Sequence, residues 1–190
     1  MTVNWLLAGA AGYLLGSFPS AVLAGMIWRK GDPRRLGTGN PGALNSLRSM
    51  GTGPGIAVLT ADIGKGMAAA ALAVLLWGWD YGWLAGLAAL IGHVFPLFAG
   101  FRGGKGLATS CGAIVYMDRR MLAVFLLVWG LVFAWRRKVA PASVVALSAD
   151  VIYVVIGFLP LWPMIVSLAG LALMLWRHWP DARRDMFVKG

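Results

Sequence analysis

The chain contains no glutamate, a single cysteine (Cys111) and two histidines (His93 and His178). One cysteine excludes an intramolecular disulfide and a thiolate metal site. Two histidines far apart in sequence give a metal centre little support, so no metal is expected. Charge is scarce as well: 13% of the 190 residues are charged, about half the fraction of an ordinary soluble domain. Apolar residues fill the gap, at 59% of the chain and a mean hydropathy of +0.75. This balance predicts an integral membrane protein. No Lys or Arg precedes the first apolar run. The N-terminal segment therefore lacks the basic region of a signal peptide and reads as a retained helix.

The few charges lean one way. Seventeen Lys and Arg stand against seven Asp, for a net charge of +10. In a membrane protein such an excess reports sidedness first, because cations stay on the cytoplasmic side. It also points to anionic lipid surfaces and anionic substrates. The cations lie in short stretches beside apolar segments, which argues against nucleic acid as a partner.

Hydropathy divides the chain into apolar segments at 5–28, 56–79, 83–98, 107–117, 121–135, 139–158 and 161–176. Gly16-Ser17-Phe18-Pro19-Ser20 interrupts the first, and Pro19 predicts a kink or break there because it cannot donate a helical hydrogen bond. Gly12 and Gly16 predict close helix packing. The segments at 107–117 and 121–135 are short, which predicts tilt, discontinuity or local bilayer thinning. Residues 79–81 and 159–160 read as outer turns. Asp62 and Lys65 sit early in the second segment. Either they neutralise each other, or they face a wet cavity, or Lys65 reaches back to the interface. Asp150, in the middle of the 139–158 segment, reads as a structural partner within the bundle. The expected architecture is an all-α polytopic membrane bundle of about seven transmembrane helices, some short or kinked. Residues 1–190 form one domain, with the N-terminus outside and the C-terminus in the cytoplasm. Fifteen of the seventeen cations then fall on the inner side, Arg119 and Arg120 excepted.

Three polar blocks share that inner side. Residues 29–48 carry five cations and the spelling Gly37-Thr38-Gly39-Asn40-Pro41-Gly42. It matches G-x-G-x-x-G, but no strand precedes it, so a dinucleotide fold has almost no support. What survives is a flexible backbone with a hydroxyl, an amide and an arginine. The second block is the Asp62–Lys65 pair. The third is Arg102-Gly103-Gly104-Lys105-Gly106, followed by a helix expected to start near Leu107. Glycine lets backbone N–H groups approach a ligand closely, and a helix start leaves N–H groups unpartnered. With two cations added, the fitting guest is a phosphate, although a solvated turn with two topology-setting cations fits the same letters. His93 stands beside this run, either as a hydrogen-bonded structural residue or as a base. One face thus gathers Thr38, Asn40, Asn45, Arg48, Lys65, His93, Arg102 and Lys105.

Across these blocks the sequence resembles the membrane-embedded bacterial acyl-phosphate:glycerol-3-phosphate acyltransferases of the PlsY family. The likeness is carried by residues 32–45 with Arg48 and Gly51, by Asp62-Ile63-Gly64-Lys65-Gly66, and by residues 92–98 joined to 103–109. It covers nearly the whole chain. The resemblance implies a multi-pass enzyme of the bacterial inner membrane with a cytoplasmic site. Such an enzyme moves a fatty acyl group from acyl phosphate to the 1-hydroxyl of glycerol 3-phosphate. The products are lysophosphatidic acid and phosphate, in the first acylation of phospholipid synthesis. It implies no cofactor, membrane lipid as surroundings, and functional coupling to the enzyme that makes acyl phosphate. Candidate catalytic residues are Thr38, Asn40, Lys65, His93 and Lys105. Candidate substrate-binding residues are Gly37, Gly39, Gly42, Asn45, Arg48, Arg102, Gly103, Gly104, Gly106, Thr109, Ser143 and His178.

An acyl phosphate is already activated, so direct attack by the substrate hydroxyl is expected, and no Ser–His–acid constellation is apparent. Arg48, Lys65 and Lys105 would neutralise phosphate while glycine N–H groups stabilise growing charge. The proton would pass to the departing phosphate or, less favoured, to His93. The chain departs from the family pattern at Thr38 (usually Ser), Leu44 (usually Thr), Ala140 (usually Ser) and Asp181 (usually Asn). A catalytically weakened paralogue, or a transporter or binding protein for phosphorylated solutes or lipids, are the alternative functions.

Overall fold

The structure, a computed structural model, describes residues 2–157 and 159–187. Phe158, where one expected span ends, and residues 188–190 of the expected tail lie outside the described residues. Among the described residues there are nine α-helices and no strand. In order they are α1 (Thr2–Gly16), α2 (Ser20–Ile27), α3 (Ala43–Met50), α4 (Thr52–Trp77), α5 (Trp79–Val94), α6 (Leu107–Met117), α7 (Arg119–Arg136), α8 (Val139–Ile156) and α9 (Leu161–Phe187). They form two compact units, one ending at Met117 and one beginning at Asp118.

Among the described residues, five stretches are long and apolar enough to cross a membrane: Thr2–Ile27, Thr52–Trp77, Trp79–Ala99, Val139–Ile156 and Leu161–Met186. The other two expected segments are helices as well. Helix α6 has 11 residues, about 16 Å of rise, which is short of a bilayer core. Helix α7 has 18 residues but carries Arg119, Arg120 and Arg136 at its ends. The all-α membrane bundle is thus the observed class, and the short helices are where hydropathy placed them.

Local chemistry explains the boundaries. Pro19 has no N–H to donate, and the first span breaks there: α1 stops at Gly16 and α2 restarts at Ser20. Gly78, at φ +109°, caps both α4 and α5. That conformation is costly for any residue with a Cβ. The turn expected at 79–81 is therefore made at Gly78, and residues 79–81 form the first turn of α5. Asp118 caps α7 by accepting from the Arg120 and Met121 N–H groups at 3.0 and 3.2 Å. Helix α9 runs through Pro180 to Phe187 instead of stopping at 176. Proline removes only one helical bond, and Arg184 pairs with Asp181 one turn back at 3.0 Å. Helix α3 was not legible as a span because it is amphipathic: Asn45, Ser46 and Met50 are buried while Leu44 and Leu47 are exposed.

In the first unit, α1 packs on α5 and α4, and α4 also packs on α2, α3, α5 and α6. The core is built from small residues, with Ala8, Ala73 and Ala85 in one cluster and Ala21, Ala24, Met50 and Val58 in another. Backbones approach closely. A Cβ on Gly12 or Gly16 would meet the carbonyls of Ala85 or Ala89, so that pair is the packing motif its spacing predicts. A Cβ on Gly66 would meet the Thr109 carbonyl, and one on Gly112 the Ile63 carbonyl, which locks the short α6 onto α4 from both sides.

The second unit stacks α7 on α8 and α8 on α9. Tyr153 donates to the second oxygen of Asp118 at 3.0 Å. Asp150 is buried, and its Oδ1 forms no hydrogen bond. The structural partner expected for it is not seen at that atom.

Replacing Gly66 by Val should force α4 and α6 apart and cost at least about 1–3 kcal/mol. It should appear as a clear drop in the detergent melting temperature. Gly64→Ala is the control: a Cβ there meets nothing within 4 Å, and alanine favours the helix by about 1 kcal/mol.

Candidate active site

Two polar loops of the first unit are tied together by one arginine. Pro33 starts a short 3-10 turn, and Asp32 caps it by accepting from the Arg34 N–H at 2.9 Å. The Asp32 carboxylate also receives the Arg34 guanidinium, with Nη2 to Oδ2 at 2.7 Å and Nε to both oxygens at 3.0 Å. The remaining arm, Nη1, donates to the Ala99 carbonyl at 2.8 Å. Arg34 thereby joins the 29–42 loop to the 95–106 loop. Its hydrogen bonds hold the Asp32 carboxyl below its ordinary value of 3.8. Beside it, Asn45 organises the first loop. Its Nδ2 donates to the Pro33 and Leu36 carbonyls at 3.1 and 3.0 Å, and its Oδ1 accepts from the Thr38 N–H at 2.9 Å.

Under these loops lies a buried polar cluster centred on Asp62 of α4. The carboxylate is 1% exposed, and its Oδ1 is approached from three elements. Ser20 of α2 donates to it at 2.6 Å. Lys65 Nζ, one turn along α4, lies at 2.8 Å. His93 Nδ1 of α5 lies at 3.4 Å and forms no hydrogen bond. Lys65 also donates to the Phe18 carbonyl in the break between α1 and α2, at 3.2 Å. Serine, histidine and aspartate thus do meet, which the sequence did not reveal. Their order differs from a nucleophilic triad, however, because the carboxylate stands between serine and imidazole.

Ser20, Lys65 and His93 open on a cleft with about 260 Å³ of empty space, part of it continuous with the surroundings. The other walls include Phe18, Pro19, Pro41, Ala99, Arg102, Gly103 and Gly104. The cleft therefore gathers Lys65, His93, Arg102, Gly103 and Gly104 of the candidate residues. Gly37, Thr38, Gly39, Asn40 and Gly42 belong to the loop whose Pro41 reaches the wall. Thr38 Oγ1 accepts the Asn40 N–H at 3.4 Å. Lys105 is half-buried and Gly106 is buried, both in the loop that leads into α6. Arg48 is exposed on α3. Thr109 is wholly buried where α6 meets α4, and its hydroxyl forms no hydrogen bond.

Ser143 and His178 belong to the second unit. There Ser143 accepts from Trp129 at 3.2 Å and donates to the Val139 carbonyl at 2.9 Å. His178 Nδ1 lies 2.9 Å from the Met174 carbonyl. One expectation changes: the Gly103 and Gly104 N–H groups do not face a ligand. They donate to the Val94 and His93 carbonyls, each at 3.2 Å. Their lack of a side chain still shapes the cleft, since a Cβ on Gly104 would run into His93 Nε2.

The glycerol-3-phosphate acyltransferase family profile matches residues 6–187. A glycerol-3-phosphate acyltransferase of Gloeobacter violaceus is 41% identical, over 93% of this chain and 90% of its own length. The glycerol-3-phosphate acyltransferase 2 of Moorella thermoacetica is 40% identical, over 95% and 93%. Among solved structures, PlsY, an integral membrane glycerol 3-phosphate acyltransferase, matches in its glycerol 3-phosphate form. The TM-score is 0.87 and the identity 32%, over 95% of this chain and 90% of that one. Its lysophosphatidic acid form gives a TM-score of 0.84.

The chain belongs to the glycerol-3-phosphate acyltransferase family.

Its departures from the PlsY pattern fall into distinct settings. Leu44 is 39% exposed on the outer face of α3, where it adds apolar surface. Ala140 is buried in the first turn of α8. Asp181 is answered by Arg184, so the acid brings its own counter-charge. Ser20 and Arg34 are site residues that the sequence left out, and Asp62, though noted with Lys65, was given no role in catalysis or binding. The signal for Asp62 was present in its burial cost within an apolar segment.

Arg34→Ala should release the tie to Ala99 at a cost of about 1 kcal/mol, or about fivefold faster amide exchange across residues 96–105. The ion pair contributes above the ordinary Asp32 value of 3.8 and is lost as pH falls through the lower folded value. Exchange in wild-type protein should therefore be flat through neutral pH and quicken only at strongly acidic pH, after correction for intrinsic rates. Unchanged exchange in the variant would remove the loop tie.

Proposed function

We propose that this protein is an enzyme that transfers a fatty acyl group from acyl phosphate to the 1-hydroxyl of glycerol 3-phosphate. The products are lysophosphatidic acid and inorganic phosphate. In this reading residues 1–190 act as one domain in the bacterial inner membrane, with the N-terminus outside and the cleft facing the cytoplasm. Acyl phosphate and the protein sit in the same membrane lipid, and activity is coupled to the enzyme that makes acyl phosphate.

The observation that carries the reading is the meeting of Lys65, His93 and Arg102 with a glycine loop in one cleft. It occurs in a chain of this family, whose fold matches a protein solved in glycerol 3-phosphate and lysophosphatidic acid forms. The cations suit a phosphate dianion. Arg102 is exposed and can reach an incoming anion, while Lys65 is held in place. Two of the three Lys65 N–H groups are placed on Asp62 and Phe18, which leaves the third for a substrate oxygen. Lys105 on its loop and Arg48 on α3 supply further positive charge, and Thr38 and Asn40 supply polar contacts.

The glycerol oxygen bonds to the acyl carbonyl carbon as the carbon–oxygen bond to phosphate breaks. The hydroxyl proton passes to the departing phosphate or to His93. Because the donor is a mixed anhydride, positioning and charge neutralisation supply the acceleration, and no acyl-enzyme is formed. Ser143 and His178 complete substrate binding in this reading.

Purified protein in detergent, given acyl phosphate and glycerol 3-phosphate, should yield lysophosphatidic acid by mass spectrometry. Lys65→Ala and Lys105→Ala should each lower kcat/KM by about 100-fold. Binding of both substrates without product selects the weakened paralogue. Undiminished turnover in both variants would discard the phosphate clamp.

A further inference from the structure

We infer that Asp62 is a positioning residue for the acyl transfer, an inference that rests on the activity proposed above. Its carboxylate sets the Lys65 ammonium and the His93 imidazole in the orientations that the reaction uses. Asp62 itself is 1% exposed and is not among the walls of the cleft, so substrate does not touch it. The three groups that converge on its Oδ1, from Ser20, Lys65 and His93, all line the cleft. One buried oxygen thus links the helix that follows the break in the first span, the middle of the bundle and the end of α5.

A carboxylate that served packing alone would be a poor choice. Burying an ion pair in an apolar interior gains little over a well-packed apolar pair. Here the geometry gives it a use. Lys65 is held at two points, by Asp62 at 2.8 Å and by the Phe18 carbonyl at 3.2 Å, so its free N–H direction is set. His93 places Nδ1 3.4 Å from Asp62 Oδ1, close by but not aligned as a hydrogen bond, and Nε2 toward Gly104. An acceptor on the Nδ1 side favours the tautomer with its proton there, which leaves the Nε2 lone pair on the side of the glycine loop. The acceptor hydroxyl can then share its proton with Nε2 while phosphate engages Lys65. The break at Pro19 belongs to the same device, because it presents Phe18 and Ser20 to the lysine and the aspartate.

The test is a double-mutant cycle on the full chain in detergent, with acyl phosphate and glycerol 3-phosphate as substrates. Asp62→Asn and His93→Ala should each lower kcat by about 30-fold or more, with KM for glycerol 3-phosphate changed less than about threefold in the Asn variant. The double variant should be no worse than the poorer single one. Multiplying losses would assign Asp62 to stability alone and overturn the inference. Asp62→Asn leaves a buried lysine without its partner, so Asp62→Asn/Lys65→Met guards against misfolding. It should regain the melting temperature while leaving turnover low. Full recovery of turnover would overturn positioning. A readout independent of turnover is the imidazole ¹⁵N spectrum of His93, assigned with His93→Ala. It should show one dominant tautomer in wild type and a mixture in Asp62→Asn, and identical spectra would sink the inference. Absence of lysophosphatidic acid from wild type would instead refute the proposed activity, with the ¹⁵N comparison still deciding the role of Asp62.

Discussion

A carboxylate inside an apolar bundle must have its charge answered where it stands. Taking an ion out of water costs several kcal/mol even after relaxation, on the order of 20 by the idealised estimate. Asp62 meets this demand with an ammonium at 2.8 Å and a hydroxyl at 2.6 Å, and an imidazole from a third helix stands 3.4 Å away. Those partners cannot drift without exposing an unpaired charge to low dielectric. The placement of α2, α4 and α5 at this level of the first unit follows from that constraint. The same electrostatics that make the aspartate expensive make it an accurate clamp.

Small residues let the clamp close. Alanine and glycine at the crossings of α1 with α5 and of α4 with α6 bring backbones close together. Side chains as short as serine can then bridge from one helix to the next. Above the cluster, Arg34 does for the loops what Asp62 does for the helices, with its planar fork divided between a carboxylate and a carbonyl. Glycine in the 103–106 loop serves proximity more than donation: Gly103 and Gly104 spend their N–H groups on their own chain, and Gly104 lets the loop lie against His93.

Much of what depended on neighbours in sequence was legible beforehand. The break at Pro19, the packing role of Gly12 and Gly16, the start of α6 at Leu107 and the shortness of α6 all follow from local rules. The Asp62–Lys65 pair was visible from its i, i+3 spacing, and two of its three alternatives hold at once: the two charges answer each other, and the lysine lines a cleft. The exact turn before α5 and the length of α9 were misplaced. One glycine at φ +109° outweighed the aromatic-rich 79–81 run, and a proline one turn into a polar stretch did not stop a helix. Asn45 was a candidate substrate contact from its place in the 32–45 motif block, and the structure adds that its amide holds the loop.

The sequence by itself determined the solvent, the helices, the polar blocks and the family. Each of these is written in hydropathy, in backbone rules or in the order of motifs along the chain. Tertiary structure alone decided that Ser20 and His93 share an oxygen with Lys65, and that Arg34 reaches Ala99, 65 residues away. The physical reason is that hydrogen bonds and ion pairs act over about 3 Å in space, with no regard for separation along the chain. Residues that look alike in one dimension become partners only when helix packing has set their distances.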